Sequence, residues 1–254
     1  MNRAIVRRAG VELAQGERSF LEREPIDLEL ATRQHAAYCQ TLESLGCELT
    51  VLPPLPGFPD APFVEDMAVV VPEVAVLTRT GAESRRAELP SVREALEPFR
   101  EFVSIEAPGT LDGGDVFLAD TTLFVGQSKR TNHAGLKQLA LLVLPFGYRV
   151  KAVEVVECLH LRTGCSWLGG DHMLIHPEWI NSARLDEYER IEVDPSEPFA
   201  ATALVIDGKV LMSSACPKTA ERVRAAGFEV RLLDISEFEK AEAGLTCLSL
   251  VFNS

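Results

Sequence analysis

The chain has no stretch approaching the roughly 18 consecutive apolar residues of a membrane-spanning helix, so no membrane partner is expected. It also lacks a basic excess. Lys and Arg number 25 against 38 Asp and Glu, a formal net charge of −13. Phosphate binding needs clustered basic side chains, so a nucleic-acid partner is not expected either. An acidic field would favour the approach of a cation, although solubility alone accounts for the same charge. The six cysteines, Cys39, Cys47, Cys158, Cys165, Cys216 and Cys247, are scattered without the paired spacings of a zinc site. Residues Met1 to Arg8 show no apolar signal core, and the expectation is a cytoplasmic protein with reduced thiols. Linkers and low-complexity tracts are missing too, so one domain over 1–254 is the default.

What the chain does contain is a repeated order of elements. Met67–Val71 and Val74–Thr78 form a hairpin pattern around Pro72-Glu73. A helical stretch follows at Glu88–Arg100, with Leu89, Val92, Leu96 and Phe99 on one face, then a strand at Phe102–Glu106. The order returns with a hairpin across Asp120-Thr121, a helix at Thr131–Leu144 and a strand at Tyr148–Val156. A third unit has a hairpin at Ser166–His176, a short helix near Ser182–Tyr188 and a strand at Arg190–Asp194. The fourth turns at Asp207-Gly208, a strong hairpin signal, and continues with a helix at Lys218–Ala226 and a strand at Glu229–Asp234. The fifth is split between the chain ends: Cys247–Phe252 can pair with Ala4–Arg8, followed by a helix at Ile26–Leu45 and a strand at Glu48–Leu52. Five such units suggest an α/β-propeller, a ring closed by pairing the termini. An ordinary mixed α/β sheet is the rival, because it too alternates strands and helices.

If the ring closes, the starts of the hairpins converge near its axis. Asp66, then Asp112 and Asp115, then His160, then Cys247 occupy those positions, while the fourth unit offers only Ala200 and Ala201. Singly, each has a plain structural use: an Asp before a strand is commonly a turn residue, and a lone His or Cys commonly a core group. Together they are a thiol, an imidazole and carboxylates, the composition of a nucleophilic site. Extra carboxylates oppose thiolate formation unless the substrate brings positive charge. A guanidinium, planar and rich in N–H donors, fits best.

The segments Phe63-Val64-Glu65-Asp66, Thr110-Leu111-Asp112-Gly113-Gly114-Asp115-Val116, Ser128-Lys129-Arg130-Thr131-Asn132, Leu159-His160-Leu161-Arg162-Thr163-Gly164 and Leu245-Thr246-Cys247-Leu248-Ser249 resemble the dimethylarginine dimethylaminohydrolases. This family belongs to the guanidino-group-modifying, or pentein, superfamily, and the match runs in order from about Leu52 to Phe252. The resemblance implies a five-bladed ring of ββαβ units around a polar channel, forming one catalytic domain. It implies Cys247 as nucleophile, His160 as general acid and base, and Asp112 as the group that orients the imidazole. Glu65 and Asp66 match the carboxylates that grip the guanidinium. Asp60, Arg85 and Arg130 match residues that hold the α-amino and α-carboxylate groups, and the Ala241 carbonyl matches a further contact there.

Two departures stand out. The lid loop of the family places a Leu backbone over the substrate; the matching stretch here is Ala14-Gln15-Gly16-Glu17-Arg18, with Glu17 in that place. Deiminases of the superfamily resemble one another in an Asp two residues after the histidine, a position held here by Arg162. The expected activity is hydrolysis of N-ω-methylated arginines to citrulline and a methylamine, with no metal and no organic cofactor. The partner expected is the cationic small-molecule substrate, and a homodimer is compatible with the sequence. Another guanidino hydrolase, a deiminase or an amidinotransferase of the same fold is the alternative. A ring-shaped binding protein without catalysis is the competitor from another class.

Overall fold

Turn residues decide where each unit folds back. Asp120 and Asp207 take left-handed φ values of 52° and 48°, a conformation that Asp tolerates better than most residues. Gly169, Gly170 and Gly208 supply the remaining positive φ values at the hairpin tips. Between these tips the apolar runs pair as strands. In the computed structural model, which describes residues 1–253, the first strand β1 (Asn2–Arg7) leads through α1 (Leu28–Ser44) to β2 (Glu48–Leu52). The first complete unit comprises β3 (Ala68–Val70), β4 (Val74–Leu77), α2 (Leu89–Leu96) and β5 (Glu101–Ser104). Next come β6 (Val116–Ala119), β7 (Thr122–Gln127), α3 (His133–Val143) and β8 (Arg149–Glu154). The short α4 (Leu161–Gly164) enters β9 (Cys165–Gly169), β10 (His172–Ile175) and β11 (Glu189–Glu192). The last units are β12 (Leu204–Ile206), β13 (Lys209–Ser213), α5 (Pro217–Ala225) and β14 (Glu229–Leu233), then α6 (Ser236–Glu239) and β15 (Ser249–Asn253).

These strands make five three-stranded sheets, each with one antiparallel pair and one parallel pair. The fifth sheet joins the termini as expected: β15 pairs with β1 from Asn2↔Asn253 to Val6↔Ser249, and β2 lies parallel on its other side. The ring reading therefore holds over the single mixed sheet. Helix α1 starts two residues later than its apolar pattern, because the Asp27 carboxylate accepts from the N–H groups of Glu29 and Leu30. Asn132 caps α3 in the same way through Gly135 N–H. Two helices differ from their patterns. The stretch read at Glu88–Arg100 is a 3₁₀ segment from Glu83 to Glu88 followed by α2, which ends at Leu96. The third unit has only a 3₁₀ turn at Ser182–Leu185, because residues 179–181 of the link pair in extended form with residues 154–156.

Apolar clusters lie between the blades; Val69, Val76, Val116 and Val125, for example, bury together across the first and second units. What positions the site is one recurring device. Every blade enters its first strand through a short helical turn: Val64–Met67, Gly113–Asp115, α4, Pro198–Ala201 and Thr246–Leu248. These turns crowd closely enough that a Cβ on Gly113 would stand 1.9 Å from the Glu65 carbonyl oxygen. Only glycine allows that approach of backbone to backbone.

Candidate active site

His160 caps α4 by position, yet its side chain makes no cap bond. The cap comes instead from Asp115, whose Oδ1 accepts Leu161 N–H at 2.9 Å. That frees the imidazole to turn toward the neighbouring blade. Its Nε2 lies 3.0 Å from Asp112 Oδ2 and 3.9 Å from Asp66 Oδ1. Asp112 is fully buried and is held by Gly81 N–H, which donates to its Oδ1 at 2.7 Å. The His160 ring packs on Gly114, where a Cβ would stand 2.7 Å from Nδ1. Burial works against the charged imidazolium, but Asp66, the bond to Asp112, and Asp115 outweigh it and hold its pKa at about 9. His160 therefore carries a proton at neutral pH. The Asp115 carboxyl is raised too, to about 6, but here by burial, which exceeds the help its charge receives from His160 and the Ser128 hydroxyl.

Cys247 sits in the turn before β15, half-buried, with Gly244 N–H 3.4 Å from its Sγ. Burial, then the charges of Glu65 and Asp66, push its thiol up to about 12. The same turn is clamped from behind by Tyr38 of α1, whose buried hydroxyl donates to the Leu245 carbonyl at 3.0 Å and lies 2.6 Å from Ser249 Oγ. Of the other thiols, Cys47, Cys158, Cys165 and Cys216 are buried and Cys39 is half-buried on α1.

The two carboxylates beside the thiol are both held by arginines. Glu65 Oε1 receives Arg162 Nη1 at 2.7 Å. Burial raises the Glu65 carboxyl, with Arg162 opposing. Asp66 accepts from Arg85 Nη1 and from Gly114 N–H at 3.0 Å. Burial opposes its charge, but His160 and Arg85 prevail and keep it below the usual carboxylate range.

At the expected amino-acid end the placement differs from residue to residue. Asp60 is buried and accepts Glu17 N–H at 2.9 Å, and burial raises its carboxyl despite Arg85. Arg130 lies on the loop after β7, with Nη1 3.9 Å from Asp112 Oδ2. Ala241 is buried just past α6. Glu17 reaches the site through its backbone: the N–H goes to Asp60, while its carbonyl accepts Arg18 Nη1 at 2.8 Å and its Oε1 accepts the Ser84 hydroxyl. Arg85, matched by resemblance to the amino-acid end, is tied into the protein itself. It is buried and spends its donors on Asp66, on both Glu88 oxygens and on the carbonyls of Asp60 and Phe63.

Asp66, Asp112 and His160 each present one ligand atom within 4.8 Å of the others, so a cation could be held there. Convergence of the blade entrances brought these three residues together, but spacing along the chain showed no metal-ligand pattern. Nor did it show Arg162 on Glu65, Arg85 on Asp66, or Tyr38 behind the nucleophile turn, all of which are contacts between separate elements.

The family model described as N,N dimethylarginine dimethylhydrolase, eukaryotic, matches residues 15–194. The N(G),N(G)-dimethylarginine dimethylaminohydrolase of Streptomyces coelicolor is 41% identical over 98% of this chain and 96% of its own. The protein of the same name from Pseudomonas aeruginosa is 33% identical over 89% of this chain and 90% of its own. A Cys-to-Ser mutant of the P. aeruginosa enzyme, solved with citrulline, superimposes with a TM-score of 0.95 at 32% identity and 98% coverage of both chains.

Proposed function

Because the chain belongs to the dimethylarginine dimethylaminohydrolase family, we infer that it hydrolyses N-ω-methylated arginines to citrulline and a methylamine. The observation that carries this reading is the convergence of Cys247, of His160 on Asp112, and of Glu65 and Asp66 on adjacent blade entrances. As the guanidinium binds, the Cys247 thiol gives its proton to solvent, and the thiolate attacks the guanidinium carbon and forms a C–S bond. His160, already protonated, passes its Nδ1 proton to the departing amine as the C–N bond breaks. A water molecule then gives a proton back to His160 and forms the C–O bond, and the C–S bond breaks to release citrulline. Asp112 holds Nε2 throughout, so that Nδ1 is the nitrogen that exchanges the proton.

Charge explains why the site waits for its substrate. Before substrate binds, burial and then the charges of Glu65 and Asp66 keep the thiol protonated, its pKa at about 12. A guanidinium placed between them supplies the missing positive charge and lowers the thiol toward the thiolate. Asp60 and the Ala241 carbonyl take the α-ammonium, and Arg130 takes the α-carboxylate. Arg85 holds Asp66 in place and ionised. Arg162 occupies one oxygen of Glu65 and stands where deiminases of the fold carry an acid. An unmethylated ω-nitrogen would then meet no acceptor, at a cost of about 1–3 kcal/mol. Methylated arginines are accordingly preferred over arginine by about ten-fold or more. Residues 1–254 act as one catalytic domain, in the cytoplasm and without metal or organic cofactor.

Incubation with dimethylarginine, monomethylarginine, arginine and agmatine, with citrulline and carbamoylputrescine quantified, tests this reading. Citrulline from the methylated substrates with a kcat/KM above that for arginine supports it. Faster turnover of arginine or agmatine refutes the substrate.

A further inference from the structure

The loop between β1 and α1 lies over the amino-acid end of the site, and its closure depends on one carboxylate. Glu242 follows Ala241 and has a left-handed φ of 59°, the position after a helical turn where glycine is the ordinary choice. A side chain kept at that cost calls for a use, and the use is visible. The Glu242 carboxylate accepts three consecutive backbone N–H groups of the loop: Ser19 at 2.9 and 3.0 Å, Phe20 at 2.7 Å and Leu21 at 2.6 Å. Three converging amides make a small anion nest in the loop, and Glu242 fills it.

The rest of the loop is arranged around that contact. Its outgoing arm is stitched to the same short segment, through Lys240 Nζ to the Pro25 carbonyl at 3.2 Å and Asp27 N–H to Glu237 Oε2 at 2.8 Å. Arg23 reaches back to the carbonyls of Ala14 and Gly16, both at 2.7 Å, so the two arms are tied to each other. Two carboxylates thus hold the loop at residues 17–21: Glu242 at the tip, and Asp60 at Glu17 N–H. Asp60 is the group assigned to the substrate α-ammonium and is already buried. Glu242 touches no reacting atom in this arrangement.

We propose that Glu242 is the latch of this lid, a positioning residue that holds the 17–21 segment closed over the α-amino-acid end of the substrate. The latch deepens the methylarginine reading and rests on it for its kinetic consequence. With the latch gone, the lid opens to solvent and the α-ammonium and α-carboxylate lose their cover, while the chemistry at Cys247 and His160 is untouched. The loss therefore falls on KM.

Two variants test this, Glu242→Ala and Glu242→Gly, the second of which relaxes the left-handed backbone while removing the same carboxylate. Both are expected to raise KM for dimethylarginine about ten-fold or more, the worth of one charge-assisted hydrogen bond. Their kcat is expected to stay within about three-fold of the parent value. In both, the amides of Ser19, Phe20 and Leu21 are expected to exchange with deuterium about ten-fold faster or more, while those of β1 and β15 keep their rates. Unchanged KM in both variants overturns the latch, as does unchanged exchange at residues 19–21. The exchange experiment needs no turnover. If the parent protein hydrolyses no methylarginine, the proposed function fails, and the exchange rates alone decide the latch.

Discussion

Replacing Asp112 by Asn alters one atom and tests how the proton of His160 is held. Asp112 is fully buried and has two donors to satisfy, Gly81 N–H at 2.7 Å and His160 Nε2 at 3.0 Å. An amide has one oxygen. The Gly81 N–H is fixed by its backbone, so the amide oxygen goes to Gly81 and the NH₂ faces the imidazole. Nε2 must then accept, which favours a neutral ring and removes the charge-assisted bond. Such a bond is worth about 1.5–3 kcal/mol, one to two pKa units at about 1.4 kcal/mol per unit. His160 is expected to fall from about 9 toward its ordinary 6.5, with Asp66 and Asp115 retaining part of the elevation. Turnover at neutral pH is expected to fall by about 10²–10⁴, the contribution of a positioned acid. NMR titration of the His160 ring protons reads the first effect, and steady-state kcat reads the second. A ring that still titrates near 9, with kcat within a few-fold of the parent, would refute the orienting role of Asp112.

The same pair has a signature in stability: His160 is raised above its unfolded 6.5, so its contribution is complete below that pH and is lost as pH rises through about 9. Denaturant midpoints should fall over that window in the parent and less steeply in Asp112→Asn; equal slopes would speak against the elevation. Tyr38→Phe removes the hydroxyl that bonds the Leu245 carbonyl and Ser249 and should cost about 1–3 kcal/mol. At about 2–4 °C per kcal/mol the loss is visible by calorimetry, and an unchanged midpoint would deny the clamp. A cationic haloamidine should label Cys247 ahead of the other five thiols, because its charge offsets Glu65 and Asp66. Neutral iodoacetamide should show no such preference, and peptide mapping distinguishes the two. Gly114→Ala should lower kcat by about 10² with circular dichroism unchanged, because the added Cβ would press on His160 Nδ1 at 2.7 Å and Asp66 Oδ1 at 2.9 Å.

Most of the ring could be read from the chain because its signals are local. Asp207-Gly208 and Asp120-Thr121 fix hairpins through the φ of single residues, and the apolar stripe of α3 needs only helical spacing. Even the split blade was legible, since Cys247–Phe252 and Ala4–Arg8 each carry a strand pattern without a partner nearby. The candidate site followed from the ring: once the blade entrances converge, Asp66, Asp112, His160 and Cys247 must meet. Short-range signals misled where tertiary pairing decides, as in the third unit, whose link pairs with residues 154–156 and keeps only one 3₁₀ turn. Spacing also gave no access to pairs that form between separate elements. Arg85 matched a substrate-binding position, yet it also pairs with Asp66 on another turn. Arg162 registered as the absence of an acid, whereas the fold makes it a partner of Glu65. Glu242 gave no signal at all, since neither its left-handed backbone nor the amides it collects from residues 19–21 can be inferred from a linear pattern.

The central claim is covalent attack by Cys247 on the guanidinium carbon, and a rapid acid quench during turnover of dimethylarginine, followed by peptide mapping, tests it directly. The account predicts one modified peptide, with Cys247 carrying the mass of dimethylarginine less dimethylamine and the adduct lost in Cys247→Ser together with citrulline release. Citrulline formation that persists in Cys247→Ser, or an adduct on Cys39 or another thiol, would contradict it.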